Sequence, residues 1–200
     1  MDPLERIAAA LERLSPPPPA PPALEAHTAY VWRGDALRVA DRFAPLPLDL
    51  LIGVDRQKAI LVENLARLAR GAAAQDVLLW GARGTGKSAL VKSAVAAVQT
   101  DSDALALIEV ATIDSLPRLF SMLAPVRRSF ALFIDDLGFD MPADARTLRS
   151  LLEGGAEARP SNARLLVTAN RRHLVPRDIA EQQSAINPRD AADDHLALAD

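Results

Sequence analysis

The chain has 200 residues, half of them hydrophobic and 24% charged, which is enough apolar material for one buried core. It holds no cysteine, so disulfide scaffolds, thiolate metal sites and cysteine nucleophiles are all excluded. A net charge of −3 argues against a general nucleic-acid coat, and His27, His173 and His195 show no metal-ligand spacing. No apolar run reaches the length of a membrane span, and the first residues carry acids where a secretory leader wants a basic start. A cytoplasmic protein that does not meet the membrane is expected.

Residues 1–14 read as an amphipathic helix, with Leu4, Ile7, Ala8, Leu11 and Leu14 on one stripe. That stripe suits docking to an unidentified protein partner or a second copy; the basic face of a membrane-surface helix is missing. Residues 15–28 read as a linker, since Ser15 to Pro22 alone holds six of the fifteen prolines. The folded domain is placed at 29–200. Residues 29–43 read as two short strands around Gly34 and Asp35, a hairpin. Asp55 is the expected N-cap of a helix in which Leu61, Leu65 and Leu68 recur at helical spacing before Gly71 stops it. Apolar runs and helices then alternate: a run at 76–80, a helix over 87–99, a run at 105–110 and a helix over 115–124. A run at 130–134, a helix over 143–153 and a run at 163–169 complete the series. Such alternation, with strands apolar on both faces, predicts an α/β fold with a parallel sheet covered by helices on both sides.

Between the run at 76–80 and the following helix lies GARGTGKS, Gly81 to Ser88. Strand, glycine-rich loop and helix occur in the order a phosphate-binding loop requires. Gly81, Gly84 and Gly86 let successive backbone N–H groups turn inward toward phosphate oxygens, with Ala82, Arg83 and Thr85 between them. The helix start at Ala89 adds its dipole to the same anion site. Lys87 supplies a point charge for the β- and γ-phosphates, and the Ser88 hydroxyl suits Mg²⁺. The chain has three lysines against twenty arginines, and one of the three stands where this pattern demands lysine.

Phe130 to Leu137, FALFIDDL, is an apolar strand ending in two carboxylates, at the sheet edge where open α/β folds bind ligands. Asp135 is expected to hold Mg²⁺ through its water shell, and Asp136 to polarise an attacking water. Arg164 to His173, RLLVTANRRH, is another apolar run ending in polar groups. Asn170 is the expected contact to the γ-phosphate and the water, and Thr168 shares its face at strand spacing. Arg171 and Arg172 have no assigned role.

In this order the motifs resemble an AAA+ P-loop ATPase over roughly residues 50 to 180. The phrases VLLWGARGTGKSALVKS, IEV, LFIDDL, LLEGGAEARPSN and TANRRHLVP further resemble a bacterial family catalogued as a domain of unknown function. The resemblance implies an ASCE-type five-stranded core preceded by the hairpin, with the Asn170 strand between the P-loop strand and the Asp135 strand. Asn170 then stands between Lys87 and Asp135. It also implies that Ile52, Gly53 and Val54 pack on adenine, that ATP and Mg²⁺ are the ligands, and that copies assemble into a homo-oligomer. Where most AAA+ proteins carry glutamate, Asp136 stands, one methylene shorter. The arginine-bearing segment, fifth strand and helical lid expected after the core are not found before Asp200, so the strand at 76–80 is expected at a sheet edge and turnover is expected to be poor.

Three functional classes compete for this pattern. A Mg-ATP-binding, hydrolytic AAA+ module coupled to a remodelling or loading task fits best. A non-hydrolysing nucleotide-dependent interaction module is the alternative. A small-molecule kinase fits poorly, because the acidic pair and the TAN strand end do not suit it. DNA-helicase loaders and transposition helpers share the core, but the acidic balance disfavours nucleic acid.

Overall fold

The apolar runs become strands, and the sheet they build carries a helical layer on each face. The computed structural model describes residues 23–34, 36–137 and 159–170, together with Asp2, Pro3 and Arg6. Apart from those three residues, the expected helix over 1–14 lies outside the described residues. So do the proline run, the helix over 143–153, Arg171, Arg172, His173 and His195.

The strands are β1 (Ala29–Arg33), β2 (Ala36–Val39), β3 (Val77–Trp80), β4 (Leu105–Val110), β5 (Ser129–Ile134) and β6 (Ala163–Ala169). Among the described residues the helices are α1 (Asp55–Ala69), α2 (Lys87–Asp101) and α3 (Leu116–Leu123), with a 3-10 turn at Leu48–Leu50. The sheet order is β2-β1-β4-β5-β6-β3. Strands β4, β5, β6 and β3 pair in parallel, with Ile134 opposite Val167 and Trp80 opposite Ala169. As the resemblance implied, β6 lies between the P-loop strand and the acidic strand. Among the described residues β3 pairs only with β6 and is the outermost strand on that side.

The hairpin of β1 and β2 forms, and it does more than precede the sheet. β1 runs parallel beside β4, with Ala29 opposite Leu107 and Trp32 opposite Val110, and β2 pairs antiparallel with β1, so the sheet is mixed rather than purely parallel. Trp32 and Tyr30 are fully buried, and the Trp32 indole N–H donates to Ser115 Oγ at 2.8 Å. Residues 23–28, which composition assigns to the linker, are tied to this edge. The buried Arg128 guanidinium donates to the carbonyls of Leu24 and His27 at 3.1 and 2.7 Å, and Tyr30 Oη donates to Ala23 O at 2.7 Å.

Strand parity sorts the core into two layers. On one face α1 and α2 lay Leu61, Leu65, Leu68, Leu90, Val91 and Val95 against Leu107, Ala131, Phe133 and Leu166. On the other, α3 covers Ile108, Leu132, Leu165 and Val167 with Leu116, Leu119, Phe120 and Leu123. The runs of alanine and valine in α2 keep its side chains short, which suits close contact with the sheet.

Asp55 is the first residue of α1, not its cap. The cap position is Val54, which makes no side-chain cap bond, and the Asp55 carboxylate pairs instead with Lys58 Nζ at 3.0 Å. A carboxylate in the first turn still meets the positive end of the helix dipole. At the end of the sheet remote from the P-loop, Asp76 pairs with Arg159 and accepts from the Leu165 N–H. Burial and the neighbouring Arg159 hold Arg164 below the usual arginine range, with Asp76 opposing the shift. No helix among the described residues is long and apolar enough to cross a membrane.

Candidate functional site

The loop after β3 turns into α2 through a chain of left-handed glycines. Gly84 has φ +82° and Gly86, the N-cap of α2, has φ +83°. A Cβ at Gly86 would meet nothing within 4 Å, so space does not demand glycine there. The backbone does: the left-handed region costs an L side chain roughly 1–2 kcal/mol. Gly86→Ala is therefore expected to lower stability by about that amount in denaturant unfolding. The same substitution is expected to weaken any phosphate binding, because the strain is relieved by moving the N–H groups of the loop.

The loop folds back on its own lysine. Lys87 Nζ donates to Gly81 O at 2.9 Å and Ala82 O at 2.8 Å, and Thr85 Oγ1 donates to Ala82 O at 2.9 Å. Lys87 Nζ also reaches Asn170 Oδ1 at 3.3 Å. Gly81, Ala82 and Thr85 thus form the underside of the loop and leave Lys87 facing the sheet.

Parity decides what the sheet offers in return. Phe133 and Leu166 pack under α1 and α2, so Asp135, Thr168 and Asn170, two or four residues further, project to the same side. Ser88 Oγ, on the first turn of α2, donates to Asp135 Oδ1 at 2.5 Å. Thr168 Oγ1 donates to the same carboxylate oxygen at 2.7 Å and accepts the Asp136 N–H at 2.7 Å. Asp136 is the one described residue other than glycine with positive φ, +48°. Aspartate tolerates this conformation better than most residues, and non-glycine outliers of this kind gather at functional sites.

This turn adds a contact to the expected one: Asn170 meets Lys87 and lines the same cavity as Asp135, and its amide N–H donates to Asp136 Oδ1 at 2.6 Å. The β5–β6 register puts Thr168 beside Asp135, and the left-handed turn brings the Asp136 carboxylate round to Asn170.

A cavity of about 350 Å³ opens between loop and strand ends. Arg83, Gly84 and residues 86–89 wall one side, and Asp135, Asp136, Thr168 and Asn170 wall the other. Ile52, Gly53 and Val54 are not part of this wall; Ile52 is 90% exposed. Thr168, which strand spacing placed on the face of Asn170 without a role, is part of this wall.

The donor set suits magnesium. Ser88 hydroxyl and Asp135 carboxylate are hard oxygens side by side, and Mg²⁺ is commonly held by one or two such groups plus waters and phosphate oxygens. Among the described residues no group of three or more His, Cys, Asp or Glu side chains is placed to hold a metal ion.

A glycine loop between strand and helix, with β6 inserted in the sheet between the loop's strand and the acidic strand, defines a P-loop fold of the ASCE type. The chain belongs to the family described as Protein of unknown function (DUF815), which it matches over residues 25–200. None of the curated proteins matches it. Among solved structures it is similar to PCH-2 of C. elegans, at 18% identity and a TM-score of 0.47 over 66% of this chain and 42% of that one. The Holliday junction branch migration motor RuvB of Thermotoga maritima matches at 24% identity and a TM-score of 0.44, over 67% and 44%. Cdc6p from Pyrobaculum aerophilum matches at 17% identity and a TM-score of 0.48, over 66% and 43%. The matched region spans less than half the length of each of these chains.

Proposed function

We propose that this chain binds ATP with Mg²⁺ at the Gly81–Ala89 loop and hydrolyses it, as the motor of a remodelling or loading task in the cytoplasm. The observation that carries the reading is the continuous polar chain from Lys87 through Asn170 to Asp136, beside the Ser88–Asp135 pair, all at one cavity. Lys87 and the loop N–H groups hold the phosphates. Ser88 and Asp135 hold magnesium, which when bound neutralises charge on the phosphate oxygens. Asp136 orients the attacking water and takes its proton, and Asn170 links that carboxylate to the lysine at the terminal phosphate. Ile52, Gly53 and Val54 serve the base.

The second reading, a nucleotide-dependent interaction module without hydrolysis, draws on one contact. Asp136 Oδ1 is already occupied by the Asn170 amide, which leaves less of the carboxylate for a water. In either case self-association through the AAA+ fold and an unidentified protein partner are proposed, and nucleic acid is disfavoured by charge. Calorimetric titration of the whole chain with ATP, with and without Mg²⁺, is expected to show saturable binding that magnesium strengthens. Absence of heat in both titrations overturns the reading, and phosphate release separates its two forms.

A further inference from the structure

We propose that Thr168 is the positioning residue of this site. Its hydroxyl sets the geometry of both carboxylates after β5, Asp135 toward magnesium and Asp136 toward water. The inference rests on the nucleotide reading above and assigns it a residue that acts through the two carboxylates.

Thr168 is 1% exposed, so its hydroxyl has no recourse to solvent and its orientation is decided by protein partners. A hydroxyl offers one proton and two lone pairs. Here the proton goes to Asp135 Oδ1 and a lone pair receives the Asp136 N–H, each at 2.7 Å. The Thr168 carbonyl accepts the Leu137 N–H at 2.8 Å. Three consecutive residues, 135 to 137, are thus suspended from one residue of the neighbouring strand. Of these ties, two belong to the hydroxyl and one to the backbone.

The consequences differ for the two carboxylates. Ser88 and Thr168 both direct their hydroxyl protons at Asp135 Oδ1, which leaves the second oxygen to accept from waters around a cation. At Asp136 the hydroxyl holds the backbone N–H of a residue kept at φ +48°. That left-handed turn is what delivers the Asp136 carboxylate to Asn170. Valine has nearly the shape of threonine and lacks the hydroxyl, so Thr168→Val removes both ties and keeps the packing. Serine keeps the hydroxyl.

Two measurements on the whole chain test this. Calorimetry with ATP, in Mg²⁺ and then in EDTA, reads how much magnesium strengthens binding. Thr168→Val is expected to cut that gain at least tenfold while the EDTA affinity stays near wild type, and Thr168→Ser to keep it. Amide exchange of Asp136 and Leu137 without nucleotide is expected to accelerate about tenfold at Asp136 in the valine variant and to stay slow in the serine variant. Should the valine variant not fold, Thr168→Cys, whose thiol is a poor donor, is expected to show the same two losses. A full magnesium gain in the valine or cysteine variant overturns the proposal, as does an equal loss in the serine variant. Wild type that binds no ATP overturns the nucleotide reading instead, and unchanged exchange at Asp136 then overturns the role of the hydroxyl independently.

Discussion

Lys87→Ala is expected to weaken Mg-ATP binding by about a hundredfold, measured by calorimetry on the folded chain. In the structure the ammonium lies against two carbonyls of its own loop and the Asn170 amide oxygen, at 2.8 to 3.3 Å. Those are neutral acceptors, and a phosphate oxygen in their place makes a charge-assisted bond of about twice the strength. Losing a hydrogen bond to a charged group costs roughly 1.5–3 kcal/mol, which spans a tenfold to more than hundredfold change in affinity. The upper figure applies because Arg83 is then the single cation left among the described cavity residues, against the two carboxylates of Asp135 and Asp136. Lys87→Arg is expected not to restore binding, since a planar guanidinium does not replace a compact ammonium inside the loop. Equal affinity in wild type and the alanine variant would remove the loop from the binding site.

The second large effect is on turnover alone. Asp136→Asn is expected to reduce phosphate release by about 10²- to 10⁴-fold, the usual contribution of a positioned base, with ATP affinity near wild type. Asparagine tolerates the left-handed conformation of this turn and its side-chain oxygen still accepts from Asn170, so the geometry survives while the proton acceptor is gone. Asp135→Asn is expected to act differently, lowering the magnesium dependence of binding, because Asp135 and not Asp136 adjoins Ser88. Single-turnover phosphate release and calorimetry on both variants decide the matter. Identical behaviour would mean that the two carboxylates do not divide the work as proposed.

Most of the strand ends are legible in the amino-acid sequence, and the place of β6 beside the P-loop strand follows from the family resemblance. Residues 105–110 and 163–169 are strands to the residue, because a run apolar on both faces has no stable place except between helical layers. The hairpin is legible as a pair of strands but not as an extension of the sheet. Its pairing with β4 joins residues separated by almost eighty positions, and nothing local in AYVWR specifies that neighbour. Asp55 misleads as a cap for a related reason: its side chain is equally suited to the first turn, and Lys58 draws it there.

The phosphate loop is determined by sequence alone. Its glycines, lysine and serine are consecutive, so the backbone angles that shape it are set by those residues with little help from elsewhere. The partnership of the remaining site residues is decided by tertiary structure. Which carboxylate meets Ser88, which meets Asn170, and that Thr168 holds both depend on the register of β5 against β6 and on one left-handed residue at the end of β5. Sequence spacing places these side chains on a common face. The contacts among them span 32 to 47 positions, and distances of that order are set only when the sheet closes and its register becomes a single value.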